Sequence, residues 1–356
     1  MLSTVHTDIA RARTPTAAFY TDPQVLRTER ERVLSRSWQL VGHTAQLAQS
    51  GDFFTTTLFE EHVLLVNDNG TLRGFFNVCR HRAGPVALGC GRQRVFACRY
   101  HGWTYDLGGR LMRAPETDGI ADFDPKSIAL EPIAVHAWGP MVFASLDRST
   151  PPFEKQFAEV IARCAPVGLE RYRFVNARDY PVEANWKVYV DNYLEGYHIP
   201  LVHPGLNREI DYKQYVSELG EYHTLQHAPV RRDGASLYRA TPGDEQALYF
   251  WLFPNIMLNL YQGQLQANIV IPQGVERSVV RFEWFAPEPL PDVEGDERWR
   301  SLMRFSDEVQ AEDAGICAVV QRNMHSRAYR PGPYSPSREN GVHHFHRLMS
   351  RRLAVG

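Results

Sequence analysis

Cysteine is scarce in this chain: Cys79, Cys90, Cys98, Cys164 and Cys317 are five among 356 residues. A sparse, odd-numbered set argues against a disulfide framework and for a reducing, cytoplasmic setting in which thiols stay free or bind metal. Long apolar runs are missing too. No stretch approaches the ~20 apolar residues that a membrane helix needs. The opening MLSTVHTDIARARTPTAAFY has no continuous apolar core, so neither a signal peptide nor a membrane association is expected. Charge of one sign does not accumulate: the net charge is −2, without a long run of either sign, and no nucleic-acid-binding patch is visible. No Gly-x-Gly-x-x-Gly follows a strand-like run, so the chain carries no evident nicotinamide or flavin domain. Internal repeats and low-complexity linkers are absent as well.

What remains is an ordinary globular composition, 44% hydrophobic and 22% charged, long enough for about two domains. Residues 24–38 place apolar side chains at helical spacing between charges. From about 40 to 147 the text changes to short strand-like runs, with Asn69-Gly70 and Gly108-Gly109 as turns. Helix-like text follows Pro151-Pro152 over 153–165. A segment rich in metal-ligand residue types, 183–199, also reads as helix. Strand-like runs at 172–181, 247–261, 265–272 and 277–286 suggest an antiparallel sheet. A helical stretch, 296–325, and a polar tail close the chain. The expected class is α+β: a helical segment over 1–39, a small all-β domain over 40–150, and a larger domain over 151–356 whose antiparallel sheet is flanked by helices.

Two constellations carry chemistry. The first reads Cys79-Arg80-His81, sixteen further residues, then Cys98-Arg99-Tyr100-His101-Gly102. Two thiolates and two imidazoles are the ligand set of a Rieske [2Fe–2S] cluster, in which histidines replace cysteines on one iron. Gly84, Pro85 and Gly102 suit the tight loops such a site needs. A Cys2His2 zinc site is the rival, although zinc pairs usually run Cys-x2-4-Cys with His-x3-5-His. Cys90, Cys164 and Cys317 lack such partners and read as structural.

The second lies in NWKVYVDNYLEGYHIPLVH, residues 185–203. Asp191, Glu195 and His198 fall at i, i+4 and i+7 on one helical face. Pro200 disfavours helix at Ile199, which lets the chain turn His203 back toward His198. Two histidines with one carboxylate and open positions form the facial triad of non-haem Fe(II) oxygenases. A one-electron relay and an O2-activating iron make chemical sense together.

Taken together, Cys-x-His-x16-Cys-x2-His, Asn-Trp-Lys and Glu-x2-His-x4-His resemble the alpha subunit of Rieske non-haem iron oxygenases over roughly residues 38–345. The resemblance implies that Cys79 and Cys98 bind the outer cluster iron, and His81 and His101 the inner one. It implies that His198 and His203 ligate a mononuclear iron, with Asp313 in VQAEDAGICAVVQ as third ligand. Glu312 is the neighbouring rival for that place, and the His343, His344, His346 group is a distant one, read as a solvated tail. Glu195 matches the family's carboxylate that bridges a cluster histidine of one subunit to an iron histidine of the next, so a homotrimer is implied. The partners implied are O2, a small organic substrate and a separate flavin or iron–sulfur reductase, or a ferredoxin.

Glu195, the run 249–261 and the C-terminal text look most like the branch acting on quaternary ammonium compounds such as choline, glycine betaine and carnitine. Phe250, Trp251, Phe253 and Tyr261 are the candidates for an aromatic pocket that holds a methylated cation. Alternating aromatics in a strand also suit a core. The runner-up substrate is an aromatic acid or ring. A Rieske electron carrier without oxygenase activity and a zinc-stabilised binding protein stand as alternatives of other classes.

Overall fold

The computed structural model describes residues 5–231, 246–261, 263–292 and 295–354. It divides into two compact units: Ser35–Thr150, and a second assembled from Met1–Leu34 with Pro151–Gly356. The class is α+β, with helices and antiparallel sheets.

In the smaller unit, Asn69 and Gly70 both take positive φ (51° and 88°) and join strands Glu61–Asp68 and Thr71–Phe76 in a tight hairpin. These strands lie inside a seven-stranded antiparallel sheet. Alternation along Glu61–Asp68 sends Leu64 and Val66 into one apolar cluster and Val63 and Leu65 into another, so both faces are covered. Three short strands, Val95–Ala97, Thr104–Asp106 and Leu111–Arg113, form a second sheet. Its last turn needs Gly109, because a side chain there would strike the Phe75 ring at 2.5 Å. Cys79, Cys98 and Trp103 belong to the same core cluster as Phe53, Phe75 and Phe96.

The larger unit is built on a seven-stranded antiparallel sheet in the order Tyr172–Val182, Ser278–Pro287, Gln264–Pro272, Ile256–Tyr261, Gln246–Leu252, His223–Pro229, Val216–Leu219. The run read as one strand over 247–261 is thus a hairpin. Register sets Tyr249 opposite Asn259 and Trp251 opposite Met257, which puts Tyr249, Trp251, Asn259 and Tyr261 on one face. Its helices include Trp186–Tyr193, Glu297–Asn323 and Asn340–Ala354. None of the described helices is long and apolar enough to cross a membrane.

The polar tail expected after residue 325 is corrected by the last of these helices. Val342, Phe345, Leu348, Met349 and Leu353 recur at helical spacing and are buried. His343 and His346 are buried with them, so this group is not a solvated tail. His346 Nε2 lies 2.9 Å from Asp191 and its Nδ1 lies 2.7 Å from the Tyr334 hydroxyl.

The N-terminal helix Pro23–Arg32 starts on an Asp22 cap with proline at its first turn. It delivers Glu29, fully buried, to Lys187 Nζ at 2.7 Å and to Trp186 Nε1 at 2.9 Å. Lys187 also sits 4.7 Å from the Phe19 ring centroid. The pair anchors the first turn of the helix that leads into the second constellation.

Candidate metal centres and substrate cavity

The first constellation occupies two backbone turns of the smaller unit. Ala83 donates its N–H back to Cys79 O (3.1 Å), and Gly102 donates its own to Cys98 O (2.9 Å). Gly102 has φ +73°, and a side chain on Gly84 would meet Cys98 Sγ at 2.8 Å. Both glycines anticipated from the sequence are therefore required, one for conformation and one for space. Cys79 and Cys98 are buried, and the Tyr105 hydroxyl lies 3.2 Å from Cys79 Sγ. Burial raises the Cys98 thiol pKa, and the facing Cys79 adds to the shift. His81 and His101 lie exposed at ring centroids 4.6 Å apart, with His81 stacked on Trp103. Desolvation lowers the His101 pKa, with His81 and Arg82 adding to the effect.

Thiol thus stands beside thiol and imidazole beside imidazole. That segregation fits a binuclear cluster with two sulfur ligands on one iron and two nitrogens on the other. A single zinc ion would instead draw all four ligands around one point.

The second constellation departs from its expected local structure. The helix ends at Tyr193, not near 199. The Glu195 side chain explains the early stop: Oε2 accepts the backbone N–H groups of Tyr197 and His198, competing with helical bonds. Asp191, Glu195 and His198 therefore do not share one continuous helical face. Pro200 does not end a helix but opens one, the single turn Ile199–Val202, with His198 and His203 at its two ends. That turn brings the two rings to 4.9 Å.

The third group comes from the long helix. His198, His203 and Asp313 offer ligand atoms that all lie within 4.8 Å of one another. Asp313 Oδ1 is 2.9 Å from His203 Nε2 and 3.7 Å from His198 Nε2. Each histidine turns its other nitrogen to a different carboxylate. His198 Nδ1 donates to Glu195 Oε1 at 2.6 Å, and His203 Nδ1 donates to Glu312 Oε2 at 2.7 Å. Glu312 therefore sits behind the triad, where it orients a ligand. Asn192 Nδ2 donates to Asp313 Oδ1 at 2.5 Å. Burial works to lower the His203 pKa, but Asp313 and Glu312 outweigh it and the net shift is upward.

Fixing both Nδ1 protons leaves two Nε2 lone pairs and a carboxylate facing one point. The donor set therefore fits a divalent cation with a facial triad and open positions.

A cavity opens onto this triad. Tyr193, Tyr215, Tyr249, Tyr261 and Phe282 give it aromatic walls, and Gln226, Asn259, Gln266, Asn268 and Gln310 give it amides. Tyr249 and Tyr261 meet edge to face at 5.9 Å. Burial pushes the Tyr249 phenol up to about 12, so the ring stays neutral.

Of the four aromatic candidates only Tyr261 lines the cavity. Phe250 points to the opposite face of the sheet. Trp251 shares the cavity face but packs on Phe345 at 5.5 Å and donates Nε1–H to Pro254 O. Phe253 lies beyond the strand end, edge-on to Trp251 at 5.9 Å. These three are core. Tyr249 was overlooked, although pairing the two halves of the 247–261 run would have placed it beside Tyr261.

Residues 37–124 match the family described as Rieske [2Fe-2S] domain, and residues 169–355 match Ring hydroxylating alpha subunit (catalytic domain). Choline monooxygenase of Arabidopsis thaliana, a chloroplastic protein, is 36% identical over 98% of this chain and 84% of its own length. The carnitine monooxygenase oxygenase subunit of Escherichia coli K12 is 30% identical, covering 94% of this chain and 92% of its own. Among solved structures, a quaternary ammonium Rieske monooxygenase in complex with L-carnitine superposes with a TM-score of 0.83 at 26% identity, covering 97% of both chains. Naphthalene 1,2-dioxygenase from Rhodococcus, 20% identical with a TM-score of 0.77 over 95% of this chain and 93% of its own, shares the fold.

Proposed function

This chain belongs to the family of Rieske ring-hydroxylating oxygenase alpha subunits, and from that membership we propose that it oxidises a quaternary ammonium compound. The observation that carries the reading is the convergence of His198, His203 and Asp313 on a cavity walled by neutral tyrosines. A trimethylammonium group cannot donate a hydrogen bond, so ring faces are its natural partners; Tyr249, Tyr261 and Phe282 supply them.

When bound, a Rieske cluster supplies single electrons and a mononuclear iron activates O2. The residues do the rest. Cys79, His81, Cys98 and His101 would hold the cluster; His198, His203 and Asp313 would hold the iron. Glu195 and Glu312 keep both imidazoles in the Nδ1–H tautomer, presenting Nε2 to the ion. The aromatic wall orients a C–H bond toward the triad. Overall, one C–H, one O2, two electrons and two protons become one C–OH and one water. Where the carbon attacked is an N-methyl, the hydroxymethyl product loses its hydroxyl proton and releases formaldehyde and a tertiary amine.

The electrons come from a separate flavin or iron–sulfur reductase, or a ferredoxin. The working form is a homotrimer. His81 and His101 are exposed, and exposed Tyr100 stacks on His101, a surface suited to a neighbouring copy. There Glu195 could accept an imidazole N–H from that copy in addition to the one from His198. None of the five cysteines is in a disulfide, which accords with a cytoplasmic setting.

The test is to supply the anaerobically purified, iron-loaded protein with a reductase and N-methyl-labelled trimethylammonium compounds. Labelled formaldehyde or a hydroxylated product, coupled to O2 use, is expected. Turnover of benzoate-like acids alone would refute the proposal.

A further inference from the structure

Two hydrogen bonds tie the helix Trp186–Tyr193 to the long helix Glu297–Asn323 at matching spacing. Tyr189 donates its hydroxyl to Gln310 Oε1 at 2.5 Å. Three residues on in both helices, Asn192 Nδ2 donates to Asp313 Oδ1 at 2.5 Å. Residues three apart share a helical face, so the two bonds are successive rungs of one contact. The rungs differ in what they hold. Tyr189–Gln310 joins two residues outside the triad, whereas the Asn192 rung ends on its third member.

The oxygen that Asn192 holds lies 2.9 Å from His203 Nε2 and 3.7 Å from His198 Nε2, so it is the one turned toward the histidines. An ionised carboxylate only accepts, so the group facing it is the amide N–H and not the amide oxygen. An N–H has no lone pair to give a metal. Asn192 therefore completes a set of supports: Glu195 holds His198, Glu312 holds His203, and Asn192 holds Asp313. The third support is neutral, and a neutral donor orients a carboxylate while leaving its charge for the ion. An arginine or lysine in its place would offer Asp313 an ion pair in competition with the metal.

The geometry points to Asn192 as a positioning residue that fixes the Asp313 carboxylate for the iron without being a ligand. This rests on the reading of His198, His203 and Asp313 as an iron site and extends it to the group behind the third member. Without the N–H, rotation of the Asp313 side chain would be opposed by the ion alone. Asn192 stands in the last turn of its helix, where the Tyr189 rung and the Glu29–Lys187 pair upstream fix its place.

The test is iron(II) affinity by chelator competition in the native, Asn192→Ala and Tyr189→Phe proteins, each carrying its cluster. The EPR spectrum of the nitric oxide adduct of the mononuclear iron is recorded beside it. Asn192→Ala should weaken iron binding about tenfold or more and change the rhombicity of the adduct signal, with the reduced-cluster signal unchanged. Tyr189→Phe breaks the other rung but leaves Asp313 its donor, so its loss of affinity should be several-fold smaller. Asn192→Leu removes the N–H at nearly the same shape and carries the test if the alanine variant does not fold. Native affinity or a native adduct spectrum without the Asn192 N–H overturns the proposal. Equal losses of iron in Asn192→Ala and Tyr189→Phe overturn it too, because both rungs would then be ties between helices and nothing more. A native protein that holds its cluster but takes up no further iron refutes the iron site itself and the proposal with it.

Discussion

The two candidate metal sites are built by opposite means. In the smaller unit the candidate ligands arrive as Cys-His pairs on two backbone turns, held by main-chain hydrogen bonds and glycines. In the larger unit they come from segments 110 residues apart, and side-chain carboxylates, not backbone, fix the rings. A site made of local turns is robust to distant change but intolerant of a substitution within the turn. A site made of side chains on separate elements depends on every group behind it.

Cys98→Ser should divide the two sites most sharply. Acid-labile sulfide should fall to near zero and about one iron per chain should remain, measured by metal analysis after anaerobic purification. Retained sulfide would show that the loops are not the cluster's seat. The converse is Asp313→Ala, expected to remove the mononuclear iron while leaving sulfide and the reduced-cluster EPR signal unchanged. Glu312→Gln, which touches no ion, should weaken iron binding about 10–100-fold by freeing the His203 ring, read by chelator competition.

The fourth prediction concerns the support beneath the iron site, which the cluster loops lack. Glu29→Ala strands the buried Lys187 charge and should cost about 3–5 kcal/mol in urea unfolding followed by tryptophan fluorescence. A cost under about 1 kcal/mol would mean that the pair is not the anchor described here. The smallest effect is a pH dependence from Glu283 on the strand Ser278–Pro287. Burial raises its carboxyl to about 7 from an ordinary value of 4.5. Between those values the folded state holds a proton that the unfolded state has lost, so this contribution declines as pH rises and is gone above about 7. Glu283→Gln should match native stability near pH 5 and exceed it by about 2–3 kcal/mol at pH 8. Equal stability at both values would show that the group titrates normally.

Much of this was legible in the residues. The α+β class and the two iron cofactors could be read from motifs, and the structure brings together the histidine pair and the Asp313 that the resemblance singled out. What escaped depended on tertiary placement. The closing helix was hidden because its apolar stripe is interrupted by histidines that look solvated until Asp191 and Tyr334 are seen to meet them. The early end of the helix before Glu195 follows from a side chain that bonds to its own backbone, which no propensity scale weighs. Glu312 looked like a competitor of Asp313 because adjacency in sequence cannot show that the two carboxylates approach the same ring from opposite nitrogens. The aromatic run misled for a simpler reason: five rings in thirteen residues cannot all face one cavity when the strand alternates and turns.

The N-terminal helix has a consequence for how this molecule can be rearranged. Residues before Leu34 belong to the catalytic unit, so the cluster unit is a guest inserted into its host. The ends of the guest meet: Asp147 donates its backbone N–H to Ser35 O at 3.1 Å. A cassette whose entry and exit coincide can be swapped for another of different reduction potential, or removed and bridged by a short linker, without asking the host to refold around a gap.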